Sequence, residues 1–337
     1  MDRFLLMPKY EEWMRREAFI RQAYSSTMIE NPSISEEERA KAEVELSVDR
    51  PDVANYARAL EFVDFMSRDQ DVVLDELLIR QMHWFLMRGM SDHHYLPGQY
   101  RKETNWIEDN GIKVYQPPHQ LDITPLMREL VEALRDDGLH PILKAGVAHV
   151  HMVAIHPFVG GNGRTARLLE TFVLQSSGWG FRNLLALDSY YQRSRNEYIG
   201  ALVSTLGSKF PDRYDATSWL DFFCMSVVVQ ARLLESRLTE WQMMVDNIHR
   251  ELRPLGLLDR QIDGLVYAAR KGEIARRDYI EVTGVSHLTA TRDLASMVDK
   301  GYLIAEGMGR NRKYRTTSAV LARPVAHEPV GAQQRLP

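Results

Sequence analysis

The chain has 337 residues, with 42 Lys+Arg against 46 Asp+Glu for a formal net charge of -4. Hydrophobic residues make up 45% and charged residues 26%, which excludes a disordered chain, a collagen and a disulfide scaffold, and fits a globular protein of two domains. The balance of charge also excludes a surface coated with nucleic acid, while leaving room for a local basic patch.

At the start, Met1 to Pro8 has too short an apolar core for a signal peptide. No stretch approaches the roughly 18–20 apolar residues that cross a bilayer, so a cytoplasmic protein with no membrane partner is expected. Helical rhythm then dominates. It covers Glu36 to Arg58, and Asp71 to Met87 with Val72, Leu74, Leu77, Leu78, Met82 and Phe85 at mixed 3–4 spacings. It resumes over Leu139 to Ile155, Arg164 to Gln175 and Trp219 to Arg250. Between Tyr95 and Pro118 the rhythm stops. There, two β-prone pieces flank Asp109-Asn110-Gly111, the signal of a small hairpin flap. The single cysteine, Cys224, lies in the apolar run Phe222 to Met225 and is expected as a packed thiol.

The densest chemical signal is His156-Pro157-Phe158-Val159-Gly160-Gly161-Asn162-Gly163-Arg164-Thr165-Ala166-Arg167. It sets a histidine just after one helix and a Gly-rich loop just before another. Such a loop turns backbone N–H groups toward one point, and the next helix N-terminus adds its positive end, which makes an anion nest suited to phosphates. Arg164 and Arg167 are three apart and share a helix face. A Walker A loop fits worse, because Phe158 stands where it needs glycine and Arg164 where it needs lysine. His149 and His151 point to different helix faces, so no metal ligand set is assigned.

At these residues the chain resembles the Fic family, whose signature is His-x-Phe-x-(Asp/Glu)-Gly-Asn-Gly-Arg-x-x-Arg. His156, Pro157, Phe158, Gly161, Asn162, Gly163, Arg164 and Arg167 match it. The resemblance runs from about Pro97 to Leu202, including Pro97-Gly98-Gln99-Tyr100-Arg101 and Tyr115-Gln116-Pro117-Pro118. It implies a mostly α fold, a Fic-type helical core with a β-hairpin flap. It also implies a protein adenylyltransferase that moves AMP from ATP onto a Ser, Thr or Tyr hydroxyl of a target protein. On that resemblance His156 is the general base, and Gly161, Asn162, Gly163, Arg164, Thr165, Arg167 and Tyr198 bind the nucleotide. Mg²⁺ is expected with the ATP, and a homodimer is a further expectation. The family's acidic residue is Gly160 here, so a metal must rest on phosphates, water or a remote side chain.

Upstream, Ser26-Thr27-Met28-Ile29-Glu30-Asn31 resembles the inhibitory motif (Ser/Thr)-x-x-x-Glu-(Gly/Asn) of self-restrained Fic proteins. Glu30 is then expected to pair with Arg167 in the place of an outer phosphate, with Ser26 beside it.

The end of the chain changes character. Helices over Asp259 to Ala269 and Ile274 to Val282, a turn at Thr283 to Ser286, a third helix to Lys300 and a two-stranded basic hairpin resemble a winged helix-turn-helix. Residues 270–315 carry a net charge of +4, which suggests duplex DNA as a partner through Arg292 and Arg312. The expected division is therefore residues 1–95 as an N-terminal helical region with the inhibitory helix, 96–250 as the Fic core, 251–316 as the winged helix and 317–337 as a loose tail. The alternative function is a DNA-binding regulator whose Fic core binds nucleotide but is weakly active or transfers another group.

Overall fold

The computed structural model describes residues 8–45, 47–90, 96–109, 112–135, 138–211, 213–309 and 312–317. Residues 1–7, the Asn110-Gly111 turn, Arg310 and the tail from 318 lie outside them. The chain divides into two compact units, one from Tyr10 to Leu234 and one that holds the residues from Glu235 onward.

The first unit is helical. Helix α1 spans Pro8–Glu30, α2 Glu36–Glu45, α3 Pro51–Arg68 and α4 Glu76–Met87. The helical rhythm expected from Glu36 to Arg58 is thus two helices. Pro51 opens α3 at its first turn, where its missing N–H leaves no bond unmade. Asp75 caps α4 by accepting the Leu78 N–H at 2.7 Å. The flap follows as strands β1 (Ile107–Asp109) and β2 (Ile112–Tyr115), antiparallel with Glu108 opposite Lys113. The expected hairpin is present on both flanks of its turn.

Helix α5 (Ile123–Arg135), α6 (Pro141–Ile155), α7 (Asn162–Ser176), α8 (Leu187–Arg193) and α9 (Arg195–Leu206) complete the core, and α10 runs over Thr217–Leu252. The sequence reading did not mark α5, although Ile123, Met127, Leu130, Val131 and Leu134 line one buried face. It also missed the short pair α8 and α9. Helix α7 is central: α6, α3 and α4 all pack against it. Its residues 165–174 are all buried, so no 3.6-residue polar stripe betrays its orientation. Helices α6 and α10 approach closely at Gly146, where a Cβ would lie 2.8 Å from Leu220 and Phe223.

The second unit contains α11 (Asp259–Lys271), β3 (Ile274–Ala275), α12 (Arg276–Thr283), α13 (His287–Asp299), β4 (Leu303–Glu306) and β5 (Lys313–Thr316). Ile274 does not begin a helix, as its sequence neighbours suggested. It begins a strand that pairs with Tyr314, giving a three-stranded sheet in the order β3-β5-β4. Ile274 is fully buried, and Asp278 starts α12 two residues later by accepting the Ala275 N–H at 3.1 Å. Three helices with this small sheet have the winged-helix order. Among the described residues no helix is long and apolar enough to cross a membrane.

Candidate functional site

The motif loop is closed by its own side chains. His156 ends α6 in the left-handed conformation, with φ of 49°, and so turns the chain sharply out of the helix. Asn162 reaches back across the loop, accepting the Phe158 N–H and donating to the Phe158 carbonyl, each at 2.9 Å. Thr165 donates to the Gly161 carbonyl at 2.8 Å. Gly161 caps α7 with φ of 74°, and a Cβ there would meet Met87 Sδ at 2.8 Å, so only glycine fits. Gly160 is not among the residues with positive φ.

Glu30, the last residue of α1, places its carboxylate against this loop. Its Oε1 accepts from Arg167 Nη2 at 2.9 Å. A Cβ on Gly163 would lie 2.6 Å from the same oxygen, so the glycine makes room for the carboxylate at the first turn of α7. The side chain is 44% exposed, with its flank open and its acid group turned inward. Burial pushes the Glu30 carboxyl up, but Arg167, Arg164 and His156 more than offset that and hold it below the usual carboxylate range. Arg167 itself is 1% exposed. Its Nε donates to Ser26 Oγ at 2.7 Å, its Nη2 to the Ser26 carbonyl at 3.1 Å and its Nη1 to Tyr198 at 3.2 Å. Asp188 Oδ1 stands 3.1 Å from the same Nε.

Arg164 contrasts with Arg167. Its Nε is buried with no hydrogen-bond partner, and its guanidinium otherwise touches Met87 Sδ. A buried guanidinium nitrogen without an acceptor, one turn from a carboxylate held at a helix N-terminus, is the chemistry of an anion site with more capacity than Glu30 fills.

Residues 73–174 match the model of the Fic/DOC family. The chain carries a Fic/DOC family domain. Residues 264–317 match the family described as transcriptional regulator DIP2311-like, C-terminal domain. Over 177 residues the chain is 28% identical to a protein adenylyltransferase Fic of Nematostella vectensis, covering 49% of this chain and 39% of that protein. Over 168 residues it is 31% identical to a probable protein adenylyltransferase of Aquifex aeolicus, covering 48% of each. The chain thus covers less than half the length of these relatives. Among solved structures, a Fic family protein from Desulfovibrio desulfuricans superposes with a TM-score of 0.56 at 22% identity, covering 90% of this chain and 87% of that one. A Fic domain containing signalling protein from Bacteroides thetaiotaomicron gives 0.57 at 18%, covering 70% and 93%. At these identities the likeness is one of fold.

Within the Fic domain, His156 is half-buried. Burial pushes its imidazole down to about 4, against the opposing pull of the Val153 carbonyl. It is therefore neutral near pH 7. Its Nδ1 lies 3.3 Å from that carbonyl, which can only accept, so Nδ1 carries the proton and Nε2 keeps a lone pair. That is the tautomer a base needs. Asn162, Thr165 and Tyr198 are among the residues that the resemblance assigns to nucleotide binding. All three are buried, and the first two spend their polar atoms on the loop itself. Tyr198 bonds Arg167 and, at 3.0 Å, His149, so it reaches the anion site only through the arginine.

Two residues to which the sequence reading gave no role hold the loop. His83 lies on α4, and its Nε2 donates to the Gly160 carbonyl at 3.0 Å while its Nδ1 accepts the Gly98 N–H at 2.9 Å. Its ring stacks parallel on Phe158 with centroids 3.7 Å apart. Burial pushes His83 down to about 4, and a neutral ring suits one donor and one acceptor contact. Arg101 is buried with no carboxylate partner among the described residues, and gives Nε to the His156 carbonyl at 2.9 Å and Nη2 to the Pro118 carbonyl at 2.6 Å. Neither residue stands near the motif in sequence, and each uses backbone partners that no side-chain pattern announces.

Beneath Arg167 a buried chain of bonds continues. His149 Nδ1 lies 2.6 Å from Glu170 Oε2, and Tyr191 donates to Glu170 Oε1 at 2.9 Å. Burial lowers His149 well below its usual value and pushes Glu170 up to about 8. His149 is thus a core histidine tied to a carboxyl.

In the second unit, Ser286 caps α13, and the helix exposes His287, Leu288, Thr291 and Arg292. Several charges of the basic island are used internally. Lys313 pairs with Glu273, Arg277 with Glu281 at 3.0 Å, Lys271 with Asp278 at 3.4 Å and Arg315 with Glu306 at 3.4 Å. Arg292 and Arg312 are exposed and have no carboxylate partner among the described residues.

Proposed function

We propose that the chain transfers AMP from ATP to a Ser, Thr or Tyr hydroxyl of a protein, and that Glu30 restrains this activity. The observation that carries the reading is the Glu30 carboxylate held by Arg167 at 2.9 Å over Gly163, an anion in a phosphate-shaped place. The relatives named protein adenylyltransferase support the same chemistry.

In this mechanism the target hydroxyl donates its proton to Nε2 of His156 as its oxygen bonds the α-phosphorus. The bond from that phosphorus to the bridging oxygen breaks, and pyrophosphate leaves. The α7 N-terminus and Arg164 stabilise the charge that moves outward, and Arg167 joins them once Glu30 withdraws. Among the described residues no three His, Cys, Asp or Glu side chains converge as metal ligands, and the loop position of the family's acid is Gly160. The site does not fit a protein-held Mg²⁺, and no step here runs through one. Incubation of the purified chain and of Glu30→Gly with labelled ATP tests the reading. Label in protein, stronger in the variant, is the expected result, and bound nucleotide without label would leave a nucleotide-binding regulator.

A second reading concerns the winged helix. Arg292 is exposed on α13 and Arg312 is exposed beside β5, both without a carboxylate partner among the described residues, which favours contact with DNA phosphates. A mobility shift on duplex DNA that fades with salt and with Arg292→Ala is the expected result. No shift at low salt would leave this domain a role in protein contacts.

A further inference from the structure

Arg167 faces two carboxylates of unlike character. Glu30 is 44% exposed and ends a helix, whereas Asp188 is 2% exposed and receives the Tyr56 hydroxyl at 3.2 Å. A guanidinium buried to 1% cannot be left without negative charge at low cost. If Glu30 were its single counter-ion, releasing Glu30 would strand a buried cation, and the acid would be a structural partner that never leaves. Ser26 does not solve this, because it is neutral and shares α1 with Glu30. Asp188 and Tyr198 lie on α8 and α9, not on the helix that carries Glu30.

We infer that Asp188 is the resident counter-ion of Arg167, a positioning residue that keeps the guanidinium neutralised and aimed while Glu30 leaves, so that Glu30 acts as a displaceable latch. Asp188 stands 3.1 Å from Nε, whose single N–H bonds Ser26 Oγ, and Glu30 takes the Nη2 edge. Departure of Glu30 therefore frees one Nη2 hydrogen toward the anion site, while the other stays on the Ser26 carbonyl and the Asp188 carboxylate stays beside Nε. The inference rests on the proposed reading that the freed edge takes a phosphate.

The test is a four-cornered comparison of the full chain, Glu30→Gln, Asp188→Asn and the double variant, by thermal unfolding without nucleotide at pH 7.5. Asparagine keeps the shape and an acceptor for Arg167 and Tyr56, so only charge is removed. The expected result is a midpoint loss in the double variant that exceeds the sum of the singles by at least about 3 °C. Additive losses overturn the proposal. If the double variant does not fold, Arg167→Met added to it removes the stranded charge. Recovery of a folded protein then supports the assignment, and continued failure overturns it. ATP affinity of Glu30→Gln, measured separately, reports on the phosphate reading alone. Unchanged affinity with coupled midpoints would sink that reading and leave the counter-ion standing, and tighter binding with additive midpoints would do the reverse.

Discussion

His83 Nε2 stands 3.0 Å from the carbonyl of Gly160, and the other nitrogen of the same ring accepts the Gly98 N–H. One neutral imidazole thereby ties the motif loop to the segment that leads into the flap. A glutamine can offer one donor and one acceptor at similar reach, whereas phenylalanine keeps the stack on Phe158 and loses both bonds. His83→Phe should cost about 1–3 kcal/mol for each buried backbone group left unpaired and lower AMP transfer more than tenfold. His83→Gln should recover most of both. Equal losses in the two variants, read by denaturant unfolding and by labelling, would show that the hydrogen bonds do not matter.

His156→Ala should reduce transfer by roughly 10²–10⁴-fold, the usual worth of a general base. Nucleotide affinity should change little, because on the proposed reading the loop and Arg164, not His156, hold the phosphates. Calorimetry with ATP beside a labelling assay separates the two. A variant that labels as fast as the parent removes His156 from the mechanism.

Glu30→Gly should raise both ATP affinity and labelling, since it clears the carboxylate from Arg167. In that background Arg167→Ala should lower both again. The order matters: Arg167→Ala alone, with Glu30 present, removes latch and anchor together and so is a weaker test. No gain of labelling in Glu30→Gly at saturating nucleotide would reject the restraint.

Gly160 does not need positive φ, so its backbone alone does not demand glycine. Gly160→Asp in the Glu30→Gly background should therefore fold and should raise labelling at low Mg²⁺, by adding a hard oxygen ligand beside the phosphates. A magnesium titration reads this. A fall at every concentration with unfolding unchanged would mean that the loop excludes a side chain there for another reason.

Glu170 makes stability depend on pH in a stated direction. Burial pushes its carboxyl up to about 8, above the value of about 4.3 in an unfolded chain. The folded state therefore keeps a proton that the unfolded state releases. This contribution is complete below the unfolded value and is lost as pH rises through about 8. The difference in unfolding midpoint between the parent and Glu170→Gln should shift in favour of the variant from pH 5 to pH 8.5. A constant difference across that range would show that Glu170 is ionised throughout.

By itself the sequence determined the helix–loop–helix around His156, because Gly161 and the arginines behind it are local signals that need no partner to be read. It determined the flap, since β-prone residues on both sides of a turn pair with each other. It also marked the order of the winged helix, apart from Ile274, whose strand exists through pairing with Tyr314 across 40 residues. Beyond the expected Glu30 and Ser26, only the tertiary structure decided what surrounds Arg167. Asp188 and Tyr198 lie 21 and 31 positions away, on the short helices α8 and α9, which carry no local signal that points them at Arg167. The roles of His83 and of Arg101, though the latter lies in a segment that carries the resemblance, were hidden because they bond to carbonyls and amides that every residue carries. Periodicity reports which face of a helix is dry; which charge finds which across a buried interface follows from how the helices cross, and that is set by packing.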